Sequence, residues 1–283
     1  MIRLAIQAKG RLNEESVEML AEAGISVEQS KRKLLSRSED FPLEILYLRD
    51  DDIPQAVSMG VADIGIVGLN EVLENELEVE VIHKLGFGKC RLSLAIPKGD
   101  EYTGLEYFNS KRIATSYPVI LKRYFEQKGI VPEIHKIAGS VEIAPTVGMA
   151  DAIFDIVSTG GTLISNGLRE VERVISSEAV LISGKALEED KLLIVRQLIS
   201  RFEAVERSKG KKYMLMNIPE NRLKEATSIL PGVKSPTVLP LAQSGWCSLH
   251  AVVSENDLWS KIEQLKLIGA EDILVLSLEK MIP

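Results

Sequence analysis

Alternation of short apolar segments with helical segments constrains the fold of this chain more than any other feature of its sequence. Strand candidates lie at residues 2–7, 43–48 and 62–67 in a first half, and at 91–96, 112–115 and 152–157 in a second. Candidate helices separate them, which is the pattern of α/β proteins. Two similar halves, each with loops after its strands, predict two α/β lobes with a cleft between them.

The first helix illustrates how its start is predicted. Asn13 stands three residues before Ser16, with acidic residues between them, which is typical of a helix start. Gly24 follows the last apolar position and favours a helix end. The sequence therefore predicts a helix from Asn13 to the residue before Gly24.

The last part of the chain follows a different pattern after a basic, glycine-containing stretch at residues 208–212, which predicts a linker. Its candidate elements, in the order strand, helix, strand, strand, helix, strand, lie at residues 213–218, 222–230, 237–241, 246–254, 255–268 and 273–278. This βαββαβ order predicts a ferredoxin-like domain. Residues 235–254 lack Asp, Glu, Lys and Arg, but Pro236 and Pro240 argue for two strands rather than a membrane span.

Charge and cysteine content limit the partners and the compartment. The net charge is −7, from 34 Lys and Arg against 41 Asp and Glu, which disfavours nucleic-acid binding but leaves room for a small anion held locally. The only two cysteines, Cys90 and Cys247, form no metal motif and predict a reducing compartment. The apolar run at the amino terminus is too short for a signal peptide. We therefore expect a cytoplasmic protein with no membrane or nucleic-acid partner.

The most informative segment is the apolar run at 152–157 and the small polar residues after it. These are Ser158, Thr159, Gly160, Gly161, Thr162 and Leu163. Backbone N–H groups and hydroxyls in such a run can bind a phosphate, although the P-loop motif is absent. An ordinary polar turn between strand and helix is an equally good interpretation of this segment alone.

Two carboxylates accompany this segment. Asp155 lies within the apolar run, and Glu142 stands 13 residues before it. A carboxylate near a phosphate site suits sugar hydroxyls better than phosphate, because it accepts hydrogen bonds. A capped or ion-paired structural acid explains Asp155 equally well.

These residues resemble the signature of the ATP phosphoribosyltransferase family. The matching positions are Glu142, Gly148, Ile153, Asp155, Ile156, Ser158, Gly160, Thr162 and Leu163, with further matches at 9–12, 49–54, 60–68, 91–95 and 114–118. The carboxy-terminal domain resembles that of the long, self-regulated form. The resemblance implies a periplasmic-binding-protein-like catalytic part, with lobe I at 1–90 plus about 180–208 and lobe II at 91–179. It implies a ferredoxin-like regulatory domain at 213–283.

The resemblance implies the first step of histidine biosynthesis, in which adenine N1 of ATP displaces pyrophosphate from phosphoribosyl pyrophosphate. The run from Ser158 to Leu163 would hold the 5′-phosphate, and Glu142 and Asp155 the ribose hydroxyls. Mg²⁺ is the implied cofactor, bound mainly through substrate phosphates. The residues expected to bind ATP or pyrophosphate are Lys9, Gly10, Arg11, Arg49, Gly68, Ser116 and Tyr117.

Several of these residues have a plainer interpretation. Lys9, Arg11 and Arg49 are ordinary surface cations in the absence of the resemblance. Residues 50–52 are three aspartates that suit a metal ion, yet a helix cap is the preferred interpretation. Tyr117 either stacks on adenine or packs in a core. The three histidines, which occur in no paired arrangement, are expected to be structural.

The resemblance also implies inhibition by histidine, bound between the ferredoxin-like domains of neighbouring subunits. The residues carried over to that site are Asn217, Thr237, Val252, Ala270 and Asp272. A homo-oligomer, from dimer to hexamer, is expected, and whether AMP also inhibits is left open. The alternatives are a solute-binding module without catalysis and a catalytically inactive regulatory partner.

Overall fold

The computed structural model describes residues 1–27, 34–185, 187–232 and 235–282, and it divides into two compact units, Met1–Gln197 and Leu198–Pro283. The strands of the first unit are β1 (Ile2–Gln7), β2 (Leu35–Arg37), β3 (Leu43–Leu48), β4 (Ile64–Gly68), β5 (Val79–Lys84), β6 (Cys90–Pro97), β7 (Arg112–Thr115), β8 (Glu133–Lys136), β9 (Ala152–Val157), β10 (Leu168–Ser177) and β11 (Ala179–Gly184). The helices are α1 (Arg11–Glu22), α2 (Ile53–Ser58), α3 (Leu69–Asn75), α4 (Pro118–Lys128), α5 (Gly161–Ser165) and α6 (Glu189–Ser208), the last of which continues into the second unit.

The first unit contains two sheets, which define two lobes. The first lobe is built on the six-stranded sheet β2-β3-β1-β4-β11-β5, and the second lobe on the five-stranded sheet β10-β6-β9-β7-β8. The chain passes between the lobes twice, from β5 to β6 and from β10 to β11. Two α/β lobes joined by two crossovers have the arrangement of periplasmic binding proteins, as the fold class predicted.

Each lobe buries its sheet under helices. In the first lobe, Ile53 and Val57 of α2 pack against Ala5 and Val67 of the sheet. In the second lobe, Leu121 and Phe125 of α4 pack with residues of β6, β7 and β9. The strands β4, β6 and β11 are buried on both faces over most of their length, as is usual for strands covered by helices.

Helix α1 begins at Arg11, two residues before the predicted start at Asn13. The residue before the helix is Gly10, whose φ of 96° lies in the region that favours glycine. The Asn13 side chain does not serve as the helix start but donates to the carbonyl of Gln7 at 2.6 Å. This contact with the preceding strand replaces the local capping contact that the prediction assumed.

The second unit contains β12 (Lys211–Pro219), α7 (Leu223–Ile229), β13 (Thr237–Pro240), β14 (Trp246–Ser254), α8 (Leu258–Leu267) and β15 (Glu271–Ser277). Its antiparallel sheet has the order β13-β14-β12-β15, and the predicted ferredoxin-like domain is confirmed. The helices cover one face of this sheet. The core between them contains Met214 and Met216 of β12, Leu249 of β14 and Leu265 of α8.

The predicted linker is shorter than expected. Helix α6 runs to Ser208, and β12 begins at Lys211, so only two residues connect them. The charges of Lys211 and Lys212 predict a position in the linker. They belong to β12, where they pair with Ser254 and Val253.

None of the helices in the described ranges combines the length and the apolar character that a bilayer span requires.

Candidate active site

The ends of the parallel strands bring the predicted residues of the first lobe to one edge. β1 pairs in parallel with β3 and β4, so the carboxyl ends at Gln7, Leu48 and Gly68 lie at the same edge of the sheet. Lys9, Gly10 and Arg11 follow the first of these strands, and Arg49 follows the second. In open α/β sheets this edge is where ligands bind.

The second lobe presents a corresponding edge. β7 and β9 are parallel, so Ser116 and Ser158 follow their carboxyl ends at the same edge. The start of β6 is at this edge as well, because Arg91 pairs with Val157 in antiparallel register.

A cavity of about 310 Å³ lies where the two edges meet. The residues that line it are Gln7, Gly10, Arg11, Leu12, Glu15, Asp50, Gly68, Asn70, Glu71, Gly88, Lys89, Cys90, Ile156 and Ser158. Four of the predicted residues, Gly10, Arg11, Gly68 and Ser158, are among them. Both lobes contribute to its walls, so the predicted cleft is present.

The loop from Ser158 to Leu163 is fixed at both of its ends. Nη1 of Arg91 donates to the carbonyl of Ser158 at 3.0 Å, while Nε of the same side chain donates to Glu170 at 2.6 Å. Leu163 is buried, which ties the far end to the core. Gly160, with φ of 82°, makes the turn into α5.

Between these anchors the loop is open to solvent. Ser158, Thr159, Gly161 and Thr162 are exposed. The first N–H groups of a helix have no intrahelical partner, so the loop presents donors together with its hydroxyls. Within the predicted run, Ser158, Thr159 and Thr162 can offer hydroxyls, whereas the glycines and the buried Leu163 can offer a ligand only their backbones.

Asp155 and Glu142 lie close to each other beside this loop. Asp155 pairs with Ser93 in the sheet, and its Oδ1 accepts from the N–H of Ile156 at 2.8 Å. Burial, together with the nearby charge of Glu142, raises the pKa of Asp155 to about 6. Glu142 is half-buried in a 3-10 turn, Val141–Ile143. The structure therefore brings together two carboxylates separated by 13 residues of chain.

The three predicted cations are exposed at the edge of the first lobe. Arg11 pairs with Glu15 at 2.8 Å, and Arg49 pairs with Asp51 at 3.1 Å. Pairs this exposed contribute little to stability, so the guanidinium groups can exchange these partners for a phosphate at small cost. Arg11 lines the cavity, whereas Lys9 and Arg49 lie outside its lining.

Ser116, Tyr117 and Gly68 have partners within the protein. The Ser116 hydroxyl donates to the carbonyl of Ile137 at 2.8 Å. The Tyr117 side chain is buried, with only 8% of it exposed, in the core of the second lobe. A Cβ on Gly68 would collide with Oδ1 of Asn70. Packing thus accounts for Tyr117 and Gly68, and their contact with ATP stays a prediction.

The cavity also contains residues that the sequence did not point to. Oε2 of Glu15 is buried and has no hydrogen-bond partner among the described residues, and Glu15 is one of the residues that line the cavity. Lys89 is exposed in the crossover between the lobes. Asn70 and Glu71 are buried polar residues that follow β4. No motif marks these residues, because only the fold brings their separate segments to one cavity.

Residues 50–52 form a 3-10 turn directly before α2. Within the described part of the chain, the Asp52 side chain makes no capping hydrogen bond, so the preferred interpretation as a side-chain cap is not supported in detail. Three acids still stand at the positive end of α2, where they are electrostatically favourable. Among the described residues, no group of three or more His, Cys, Asp or Glu is arranged to hold a metal ion.

In the second unit, the structure places most of the carried-over residues on the sheet face that the helices leave open. Asn217 lies between the buried Met216 and Ile218, and its Nδ2 donates to Asp272 Oδ2 at 3.0 Å. Because side chains alternate along a strand, Asn217 faces away from the helices. Val252, which lies between two buried residues of β14, does the same.

The other two carried-over residues differ from each other. Thr237 is exposed and pairs with His250, two residues along β14 from Val252, so it shares the open face. The side chain of Ala270 is buried in the core under α8. Of the five predicted residues, Ala270 alone can offer a ligand only its backbone.

Comparison with known proteins decides the family. The family model described as ATP phosphoribosyltransferase matches residues 49–204, and the model described as HisG, C-terminal domain matches residues 208–280. An ATP phosphoribosyltransferase of Bacteroides thetaiotaomicron is 56% identical over 282 residues, covering all of both chains. One of Phocaeicola vulgatus is 57% identical with the same coverage.

The chain belongs to the ATP phosphoribosyltransferase family. It is a pentosyltransferase that catalyses the first step of histidine biosynthesis, as its sequence predicted. The alternative of a solute-binding module without catalysis is therefore excluded.

A solved structure agrees with this assignment. The ATP phosphoribosyl transferase (HisG:HisZ) complex from Thermotoga maritima aligns with a TM-score of 0.62 and 32% identity, covering 71% of this chain and 96% of that one.

Proposed function

We propose that ATP and phosphoribosyl pyrophosphate react in the cleft between the two lobes, with the ribose on Glu142 and Asp155. The observation that carries this proposal is two carboxylates, one of which raises the pKa of the other, beside an exposed loop of N–H and hydroxyl donors. The loop from Ser158 to Leu163 binds the 5′-phosphate, and the two carboxylates accept hydrogen bonds from the ribose hydroxyls.

The carboxylates also act on the reaction itself. Adenine N1 forms a bond to C1 of the ribose, while the bond from C1 to the pyrophosphate oxygen breaks and pyrophosphate carries away the electron pair. Positive charge builds on the ribose ring during this displacement. With a pKa of about 6, Asp155 is largely ionised at pH 7, so its charge stabilises the transition state.

The phosphates of the two substrates need counter-charge from the rim of the cleft. Arg11 and Lys89 line the cavity directly. Lys9 and Arg49 bind phosphates that extend beyond it, and Gly10 and Ser116 offer polar contacts at the same edges. A few local cations suffice, so the net charge of −7 does not oppose this binding.

Mg²⁺ fits this donor set as an ion carried on the substrates. The cleft offers single carboxylates rather than a three-residue cluster among its described residues, and Asp50, which lines the cavity, would complete the coordination of such an ion. When bound, the ion neutralises charge on the departing pyrophosphate.

Histidine inhibits by binding the open face of the ferredoxin-like sheet. The bonded pair of Asn217 and Asp272 presents a carboxylate suited to the amino group of the inhibitor, and Thr237 offers a hydroxyl. Histidine sensitivity follows if the ligand prefers one assembly state.

Leu274 and Leu276 of β15 are 55% and 51% exposed, which supports assembly into a homo-oligomer, from dimer to hexamer. The free thiols of Cys90 and Cys247 suit a cytoplasmic location.

The test of this proposal is a substitution that removes the charge of Glu142. Glu142→Gln should lower kcat by at least about a hundredfold while far-UV circular dichroism stays unchanged, because a positioned charge is lost from the transition state. Glu133→Gln is a matched control, since that glutamate is exposed on β8 of the same lobe. Full activity in the Glu142 variant would contradict the proposed role.

A further inference from the structure

Helix α3 of the first lobe holds the start of helix α4 of the second. Oε1 of Glu74 accepts from the N–H of Val119 at 3.0 Å, and Oε2 accepts from the N–H of Ile120 at 3.0 Å. These N–H groups belong to the first turn of α4, where no intrahelical partner exists. One lobe therefore caps a helix of the other.

A buried hydrogen-bond network lies beside this cap. The Tyr117 hydroxyl donates to Oε1 of Glu71 at 3.0 Å, and Nδ2 of Asn70 donates to the same oxygen at 3.0 Å. The Ser177 hydroxyl donates to Oδ1 of Asn70 at 2.8 Å. Only 7% of Glu71 and 4% of Asn70 are exposed. Tyr117 and Ser177 come from the second lobe, where Ser177 is the last residue of β10, and Glu71 and Asn70 come from the first.

The network forms part of the cleft. Asn70 and Glu71 line the cavity together with Arg11 of the first lobe and Ser158 of the second. Along the described residues the chain crosses between the lobes twice, and the contacts between α3 and α4 add a non-covalent connection that resists separation of the lobes. That separation sets the distance between the rim cations and the phosphate-binding loop.

We propose that Glu71 is a positioning residue, which holds the second lobe through the Tyr117 hydroxyl at the spacing that both substrates require. The inference rests on the proposed placement of the substrates in this cleft. Glu71 acts through Tyr117 and α4, and no contact between Glu71 and the reacting atoms is needed.

The charges around Glu71 support this role. Its pKa is raised to about 7, with burial as the largest cause and Asp50, Asp51 and Glu74 acting in the same direction, whereas the Tyr117 hydrogen bond opposes them. The charges of Asp155 and Asp50 also act on Tyr117, and both raise the pKa of its hydroxyl. Glu71 thus changes charge near neutral pH. Ionisation above pH 7 strengthens the hydrogen bond from Tyr117, but it also leaves a charged carboxylate buried next to other acids. Because burial is the larger of these effects, ionisation favours separation of the lobes, which exposes Glu71 to water.

Three substitutions in the full chain separate the contributions of charge and hydrogen bond. Glu71→Leu removes the acceptor, Tyr117→Phe removes only the hydroxyl, and Glu71→Gln keeps an uncharged acceptor. Glu78→Gln is the matched control, because Glu78 is an exposed carboxylate that pairs with Lys185 in the same lobe at 2.7 Å. KM for each substrate and kcat are measured from pH 6 to 8.5, and amide exchange is followed at Val119 and Ile120.

Loss of one such hydrogen bond, about 1 kcal/mol, corresponds to about a fivefold rise in KM for both substrates. We expect this rise in the Leu and Phe variants, with kcat within about twofold of the parent and faster exchange at Val119 and Ile120. In the parent, KM should rise above pH 7 as Glu71 ionises. Glu71→Gln should have the parent KM at lower pH and should not show this rise. Glu78→Gln should match the parent throughout.

Parent-like KM and exchange in Glu71→Leu and Tyr117→Phe would overturn the proposal, as would failure of Glu71→Gln to restore KM. If the parent chain formed no pyrophosphate, the proposed function would fail instead. The exchange rates at Val119 and Ile120 would then test by themselves whether Glu71 holds the second lobe through Tyr117.

Discussion

Replacing Asp155 with asparagine should make the protein more stable and less active. The pKa of Asp155 is raised from 3.8 to about 6, so the folded protein binds more protons than the unfolded chain between these values. Stability therefore falls as pH rises through this window. At about 1.36 kcal/mol per pH unit, the ionised carboxylate costs about 3 kcal/mol above pH 7 and about 1.5 kcal/mol at pH 5. The asparagine side chain keeps an oxygen that accepts from the N–H of Ile156, and it carries no charge.

Urea unfolding at pH 5 and pH 8 measures this difference. Trp246 and Trp259 both lie in the second unit, so a transition seen by circular dichroism but not by tryptophan fluorescence reports the first unit. Asp155→Asn should raise the free energy of unfolding by about 3 kcal/mol at pH 8 and by about half of that at pH 5. Its kcat/KM should fall at least about a hundredfold, because the lost charge stabilises the transition state.

Asp151→Asn is a control in the same lobe, for which the free energy of unfolding at pH 8 should change in the opposite direction. Asp151 accepts from the N–H of Arg112 at 2.9 Å and pairs with its guanidinium, which holds the pKa of the carboxyl below its usual value. That interaction stabilises the fold above the unfolded pKa and is lost as pH falls through the folded one, so this variant should be less stable at pH 8. A loss of stability at pH 8 in Asp155→Asn, an equal gain at both pH values, or full activity would refute the reasoning.

Two further predictions concern the loop and the inhibitor site. Arg91→Gln should raise KM for phosphoribosyl pyrophosphate about tenfold with little change in kcat, because Arg91 links Ser158 to Glu170. Steady-state kinetics measure both constants, and an unaltered KM would contradict a role of Arg91 in fixing the loop. Asp272→Ala should raise the histidine concentration for half inhibition at least about tenfold and leave kcat unchanged. One charge-assisted hydrogen bond is worth about 1.5–3 kcal/mol, and this variant removes the carboxylate that would make it. Undiminished inhibition would show that histidine binds elsewhere.

The sequence predicted the elements better than their junctions. The ferredoxin-like order was recoverable because apolar alternation along β12 and β14 and the apolar face of α8 are local patterns. The start of α1 was not, because Asn13 bonds to Gln7 rather than to its own helix. The charges of Lys211 and Lys212 predict a linker, although the backbones of both residues pair with β14 as part of β12.

The residues of the candidate site also fall into those that a local motif predicts and those that only the fold brings together. The loop after β9 follows from a continuous motif, and so could be predicted. Glu71, Lys89 and the buried Oε2 of Glu15 come from three separate segments, and only the packing of two lobes brings them to one cavity. The buried position of Tyr117 likewise depends on contacts 46 residues away along the chain.

Pyrophosphate release by the purified full chain tests the central claim most directly. The chain is mixed with ATP, phosphoribosyl pyrophosphate and Mg²⁺, with each substrate omitted in turn, and in parallel with added histidine. We expect pyrophosphate and the altered adenine product, measured by its absorbance, to form in equal amounts only when both substrates are present. Added histidine should suppress the formation of both products. Pyrophosphate release without ATP, or no release with the complete mixture, would contradict the proposed reaction in the cleft.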